Sequence, residues 1–238
     1  MKKYLILLCV FILVCGTIAY ARMNVGILGG SVPAAAGGVN VLEDFVSISD
    51  WTQAIGTWDV TGAIISVDDN SANTLITNNT VVSGTDLYIE VLNVNWAAES
   101  QYAQIVFWVQ NQSNTADFIR LLFRGDFDDI YLQTARDGFA DTEDIGIACT
   151  LFSPDDNDYI AVKVTGPANS ATVEVWDKGA ASDWSNRATW SSPDCTWSTA
   201  DLDDVNGTGI TRGDYVGLAF YTTPANATKA DNYRFGDQ

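Results

Sequence analysis

The chain has 238 residues, 12 of them basic, 30 acidic and none histidine, and 47% are hydrophobic. That apolar content excludes a disordered chain. The absence of histidine excludes Ser-His-Asp and Cys-His nucleophilic triads, histidine general bases and most zinc sites. A net charge of −18 repels nucleic acid and anionic membrane surfaces and favours divalent cations.

The N-terminus reads MKKYLILLCVFILVCGTIAYA. Lys2 and Lys3 supply a positive start, Leu5 to Val14 an apolar core, and Ala19-Tyr20-Ala21 a small-residue cleavage site, the pattern of a secretory signal peptide over residues 1–21. The apolar run is short for a ~30 Å hydrocarbon core, which argues against a membrane anchor. Cleavage leaves no membrane attachment and places the protein outside the cell or on its surface. It also removes Lys2 and Lys3, so ten basic residues face 30 acidic ones. Cys9 and Cys15 leave as well. Cys149 and Cys195 remain, an even pair in an oxidising compartment; they form a disulfide or stay as two buried thiols.

Residues 22–40 are rich in Gly and Ala and carry no charge after Arg22. They form either a flexible leader or an arm that adds a strand to another copy of the chain. From Val41 the pattern changes to short β-prone runs split by turn residues. Strands are expected at 58–60, 63–67, 74–77, 86–94, 103–110, 117–124, 128–134, 145–150, 159–165, 172–177, 215–221 and 232–235. Within Tyr159–Thr165 and Thr172–Asp177 apolar and polar residues alternate, as half-buried antiparallel strands require. Residues 41–238 are therefore expected to form one all-β domain, an antiparallel β-sandwich (jelly roll). Segment 179–212 has Trp, Ser and Asp but no good strand. Trp51 and Trp58, each able to bury ~150–250 Å², are expected to plug one end of the core.

Several stretches resemble concanavalin A-like jelly rolls of the laminin-G-like type, found in secreted bacterial proteins. They are Glu43-Asp44-Phe45, Trp51, Gly56-Thr57-Trp58-Asp59-Val60 with Ile64-Ile65, the strand Tyr102–Phe107, the hairpin Asp158–Val164 and Ala171–Trp176, and the closing runs Asp214–Phe220 and Ala230–Phe235. The resemblance covers about residues 41–236. It implies a structural ion near the chain ends. It also brings glycoside hydrolysis into view, because laminarinase-like enzymes share the fold.

That chemistry needs two carboxylates ~5–5.5 Å apart for retention, presented in such enzymes as Glu-x-Asp-x-x-Glu. The five glutamates, Glu43, Glu90, Glu99, Glu143 and Glu174, show no such spacing; Glu90 alone is central on a strand. Structural Ca2+ fits better. If the terminal strands are neighbours, Glu43, Asp44 and Asp231 converge as hard oxygen ligands. Acid-rich turns at Asp126/Asp128/Asp129, Asp155/Asp156/Asp158 and Asp201/Asp203/Asp204 read more simply as solvated loops. For a sugar, stacking aromatics are needed. Trp184, Trp190 and Trp197, with Arg187 among them, Trp176 just before and Trp108 on a strand of the concave face, are the candidate ligand-binding residues. The leading reading is a secreted, non-catalytic module that binds a polysaccharide or cell-surface glycan, or mediates adhesion. The second is a structural subunit of an extracellular or virion-associated assembly, joined through residues 22–40. The third is a glycoside hydrolase.

Overall fold

The computed structural model describes residues 39–69, 72–96, 102–124, 129–150, 152, 155–168, 170–199, 212–221 and 227–237. The expected signal peptide, residues 22–38, Glu99, Asp126, Asp128, Asp201, Asp203 and Asp204 lie outside the described residues.

Short β-prone runs punctuated by Gly, Asn and Asp become strands because only a paired, half-buried ladder satisfies both their backbone and their alternating side chains. In chain order these are β1 (Asn40–Glu43), β2 (Trp51–Ile55), β3 (Trp58–Thr61), β4 (Ile64–Val67), β5 (Leu75–Asn78), β6 (Asp86–Asn95), β7 (Tyr102–Val109) and β8 (Phe118–Arg124). They continue as β9 (Asp129–Arg136), β10 (Asp141–Asp144), β11 (Tyr159–Thr165), β12 (Thr172–Asp177), β13 (Cys195–Ser198), β14 (Tyr215–Tyr221) and β15 (Lys229–Asp237). A 3₁₀ helix spans Trp184–Thr189.

Two antiparallel sheets result. The first runs β13-β12-β11-β6-β15-β4-β3, with β1 also on β15; the second runs β10-β9-β8-β7-β14-β5-β2. The first and last described strands pair as expected: Val41 lies opposite Phe235 and Glu43 opposite Tyr233. The main core fills the space between the sheets. Leu87, Ile89 and Val91 of β6 and Ile160, Val162 and Val164 of β11 face Ile105 and Phe107 of β7, Ile119, Leu121 and Phe123 of β8, and Leu218 and Phe220 of β14. Each outer face carries a smaller apolar cluster of its own.

Trp51 and Trp58 are both in the core, although they sit on different sheets. Between them the chain crosses over at Gly56, whose φ of +80° and close approach to Thr74 leave no room for a side chain. Trp51 packs 5.4 Å from Phe45 and 5.3 Å from Tyr233, and Trp58 5.1 Å from Phe220.

Three local expectations change. The strand expected at 145–150 forms earlier, as β10; Cys149 makes only a single bridge to Ile130. Asp137-Gly138, both with positive φ, turn β9 straight back into β10, so the strand begins where the turn allows. Trp51–Ile55 is also a strand, and segment 179–212 contains β13. Both are short edge strands, β2 at the border of the second sheet and β13 at that of the first.

Candidate functional site

The tryptophans singled out from sequence are all buried. Trp176, Trp184 and Trp190 cover the outer face of the first sheet with Tyr88 and Ala161. Trp190 lies 5.5 Å from Trp176, 6.3 Å from Trp184 and 5.9 Å from Tyr88. Each indole N–H is satisfied within the protein: Trp176 donates to Ser191 O, Trp190 to Asp183 O and Trp184 to Asn40 Oδ1. Arg187 is buried too, its guanidinium 4.7 Å over the Trp184 ring. Trp197 belongs to the main core and donates to Ile147 O.

Trp108 lies in the main core. It shares its face of β7 with Gln104 and Val106 by spacing. A register shift in the β7–β14 pairing and a φ of 53° instead send the ring into the core beside Phe107. Stacking on a sugar needs an open ring face, and each of these five indoles is at least nine-tenths buried, as is Arg187. The segment turns back because large rings gain more by burial against sheet residues than by exposure.

Glu90 anchors that segment. It stands on the outer face of β6, opposite Ala161 and Arg234. Its carboxylate accepts from Ser182 Oγ and, at 2.9 Å, from Asp183 N, while Arg234 Nη1 donates to Ser182 Oγ at 3.1 Å. Burial raises its pKa, against the bonds from Ser182 and Asp183. It is engaged in holding structure.

Of the expected ion ligands, Glu43 accepts from Asn78 Nδ2 at 2.9 Å, and Asp231 from Asn232 N at 2.6 Å. Burial raises both pKa values, and Asp44 adds repulsion to each. Among the described residues, no group of three His, Cys, Asp or Glu side chains is placed to hold a metal ion. Pairing of the terminal strands brings the backbones together, but two of the three carboxylates are taken up by amide and backbone donors. Cys149 and Cys195 are joined, with Cα atoms 6.0 Å apart. The bond ties β13 of the first sheet to a loop bridged to β9 of the second.

The outer face of the second sheet gathers a different set. On β8, Ile119, Leu121 and Phe123 point into the core, so Arg120, Leu122 and Arg124 point away. Cross-strand register sets Arg124 opposite Asp129 on β9 and Tyr102 on β7, and Tyr102 opposite Tyr221 on β14. Tyr102 and Tyr221 rings lie 5.5 Å apart at 33°. Arg124 sits 5.8 Å over Tyr102 and 5.6 Å over Tyr131. All of these are half-buried. Tyr131 OH donates to Asp129 Oδ2.

Two rows away, Arg120 donates through Nε to Gln133 Oε1 and through Nη1 to Gln104 Oε1, each at 2.8 Å. Gln133 Nε2 in turn donates to Asp144 Oδ1 at 2.5 Å. Burial lowers the Arg120 pKa to about 10, the charge of Asp144 opposing the shift. The sequence signal was present, though not used: Tyr102/Gln104, Arg120/Arg124 and Tyr131/Gln133 are polar or amphipathic residues at even spacing on strands whose other face is apolar.

No protein-family model and no curated protein matches the chain. Solved structures match by shape. A galectin-like protein from Bacillus subtilis, of unknown function, has a TM-score of 0.54 at 12% identity, covering 82% of this chain and 94% of that one. β-Agarase A in complex with oligoagarose has 0.53 at 12% identity, covering 88% and 98%. The exoplasmic/lumenal domain of VIP36, in its Ca2+/Man3GlcNAc-bound form, has 0.51 at 9% identity, covering 84% and 88%. With its two antiparallel sheets and joined ends, the chain has the concanavalin A-like β-sandwich fold.

Proposed function

We propose that this protein is a secreted, non-catalytic β-sandwich that binds a glycan across the outer face of its second sheet. The carrying observation is the half-buried row Tyr221–Tyr102–Arg124–Asp129 with Tyr131 beside it. Tyrosine offers an apolar ring for the C–H face of a sugar and a hydroxyl for its edge; the arginine and carboxylate supply directed hydrogen bonds. Two structures of the same fold carry saccharides, oligoagarose in one and Man3GlcNAc in the other. At such low identity they support the ligand class and no particular sugar.

The non-catalytic reading follows from spacing. Asp129 and Asp144 are carboxylates bordering this face, and Asp144 pairs with Gln133, four residues from Asp129 along β9. Four residues span ~13 Å of strand, beyond the ~5–9.5 Å that glycoside hydrolysis uses. Glu90 lies on the other sheet, under the tryptophan segment.

The test is affinity electrophoresis in gels holding polysaccharides, with wild type, Tyr102→Ala and Tyr221→Ala. Retardation weakened about tenfold by either change is expected, the ~1.4 kcal/mol scale of one aromatic contact. Failure of every polymer to retard the protein removes the reading.

Calcium at Glu43, Asp44 and Asp231 would require these side chains to rearrange around the ion. A melting temperature that rises with millimolar calcium, and does not in Glu43→Gln, would support it. Self-assembly through residues 22–40 is a second reading. It is favoured by Leu42 and Val46, 57% and 75% exposed where that segment enters the sandwich. Sizing the protein with and without residues 22–38 decides it, and a monomer in both cases excludes it.

A further inference from the structure

Arg120 is a buried cation whose hydrogen-bond acceptors, among the described residues, are two neutral amides. Buried charges are ordinarily paired with an opposite charge, because desolvation is otherwise uncompensated. Here burial has gone far enough to depress the guanidinium pKa. The chain nonetheless keeps the arginine, with Arg124 two positions along the same face.

The amide orientations carry the argument further. A guanidinium only donates, so Oε1 of Gln104 and of Gln133 must both face it. Both Nε2 groups then turn away. On one side the series ends well: Gln133 Nε2 meets the carboxylate of Asp144. On the other side Gln104 Nε2 is buried and has no partner among the described residues. An orphaned buried donor is destabilising, and such groups persist where function uses them. Symmetry of the relay says what is missing: an acceptor oxygen playing the part that Asp144 plays on the far side.

We propose that the missing acceptor is an oxyanion carried by an acidic polysaccharide, either a uronate carboxylate or a sulfate ester. The proposal rests on the glycan-binding reading above. The oxyanion accepts from Gln104 Nε2 and balances Arg120, while the sugar ring lies on the Tyr102–Tyr221 row next to Gln104. Both donors are covered, so binding waits on a local opening and association runs below the usual ~10⁵–10⁷ M⁻¹s⁻¹. The chain's overall negative charge repels such a polymer at long range. Moderate salt therefore speeds association, the reverse of ion exchange on a basic protein.

The test uses the full chain in gels containing polygalacturonate, carrageenan, or the neutral polymers laminarin and agarose. Retardation by polygalacturonate assigns a carboxylate and by carrageenan a sulfate ester; the neutral polymers are expected to retard at least tenfold less. The variant is Gln104→Glu, which keeps an acceptor oxygen for Arg120 Nη1 and removes the orphaned donor. Its carboxylate pairs with the buried guanidinium, so it is expected to melt at or above the wild-type temperature, which excludes misfolding in the same sample, and to lose at least tenfold in acidic-polymer affinity. A Gln104→Glu protein that binds acidic polymer as the wild type does overturns the inference. Equal retardation by neutral and acidic polymers also overturns it and leaves the glycan reading standing. No retardation by any polymer overturns both.

Discussion

At Asp237 one carboxylate accepts from three backbone N–H groups: Val39 at 2.5 Å, Ser83 at 2.6 Å and Gly84 at 2.6 Å. It thereby ties β15 to the start of β1 and to the turn before β6. Burial alone would raise its pKa; the donors of Gly84, Val39 and Ser83, with Arg212 nearby, outweigh burial and hold it below the ordinary value. A depressed carboxyl contributes stability that is present above the unfolded value of ~3.9 and lost as pH falls through the folded one. Asp237→Asn, which cannot accept all three bonds, is expected to cost about 1–3 kcal/mol at pH 7. Urea unfolding checks this, and the gap between variant and wild type is expected to narrow below pH 4. An equal gap at both pH values would show that the bonds do not depend on charge.

The tryptophan segment and the disulfide act on whole elements. Residues 178–192 have little secondary structure beyond the 3₁₀ helix, so their place on the first sheet depends on Trp184, Trp190 and the Glu90 contacts. Lys178 Nζ, 4.9 Å over Trp190 and 5.1 Å over Trp176, closes the edge. Trp190→Ala is expected to cost about 3–5 kcal/mol, the range for emptying a large buried ring site, and to raise proteolysis between 178 and 192 before the sheets unfold. Cys149→Ser with Cys195→Ser frees the staple between the two sheets. With the cysteines 46 positions apart in sequence, the expected loss is about 2–4 kcal/mol, and a reducing agent should reproduce it in the wild type. No change in the denaturant midpoint would mean the sheets hold that edge without the bond.

Over the whole molecule, charge sets the pH response. Burial raises the pKa of Glu43, Glu90, Asp177 and Asp231, and neighbouring carboxylates add to the shift in each. A raised carboxyl contributes stability that is full below its unfolded value and lost as pH rises through the folded one. The net charge of −18 adds self-repulsion of the same sign. The melting temperature is therefore expected to rise as pH falls from 8 towards 5, then to drop at lower pH as Asp237 protonates. Half-molar NaCl should stabilise the protein more at pH 8 than at pH 5. A melting temperature that does not rise at all as pH falls towards the range of these raised carboxyls would show that they feel no net burial.

Alternation of apolar and polar residues is a property of each strand alone, and it sufficed for the all-β sandwich and for most strands; the size of their rings sufficed to place Trp51 and Trp58 in the core. The pairing of the first and last strands of the sandwich followed from the resemblance carried by Glu43-Asp44-Phe45 and Ala230–Phe235. Elsewhere the outcome turned on contacts between distant residues. Trp184 and Trp190 look the same in sequence whether exposed or packed; Tyr88, Ala161 and Trp176, from three other strands, give them a surface to cover. Trp108 faces the core because a single left-handed residue at a bulge reverses the facing that strict alternation gives. Gln104, Arg120 and Gln133 come from three strands and become one relay when β7, β8 and β9 align in register. Periodicity is local and survives in a string of letters, whereas register is a relation between segments and exists once the sheets have formed.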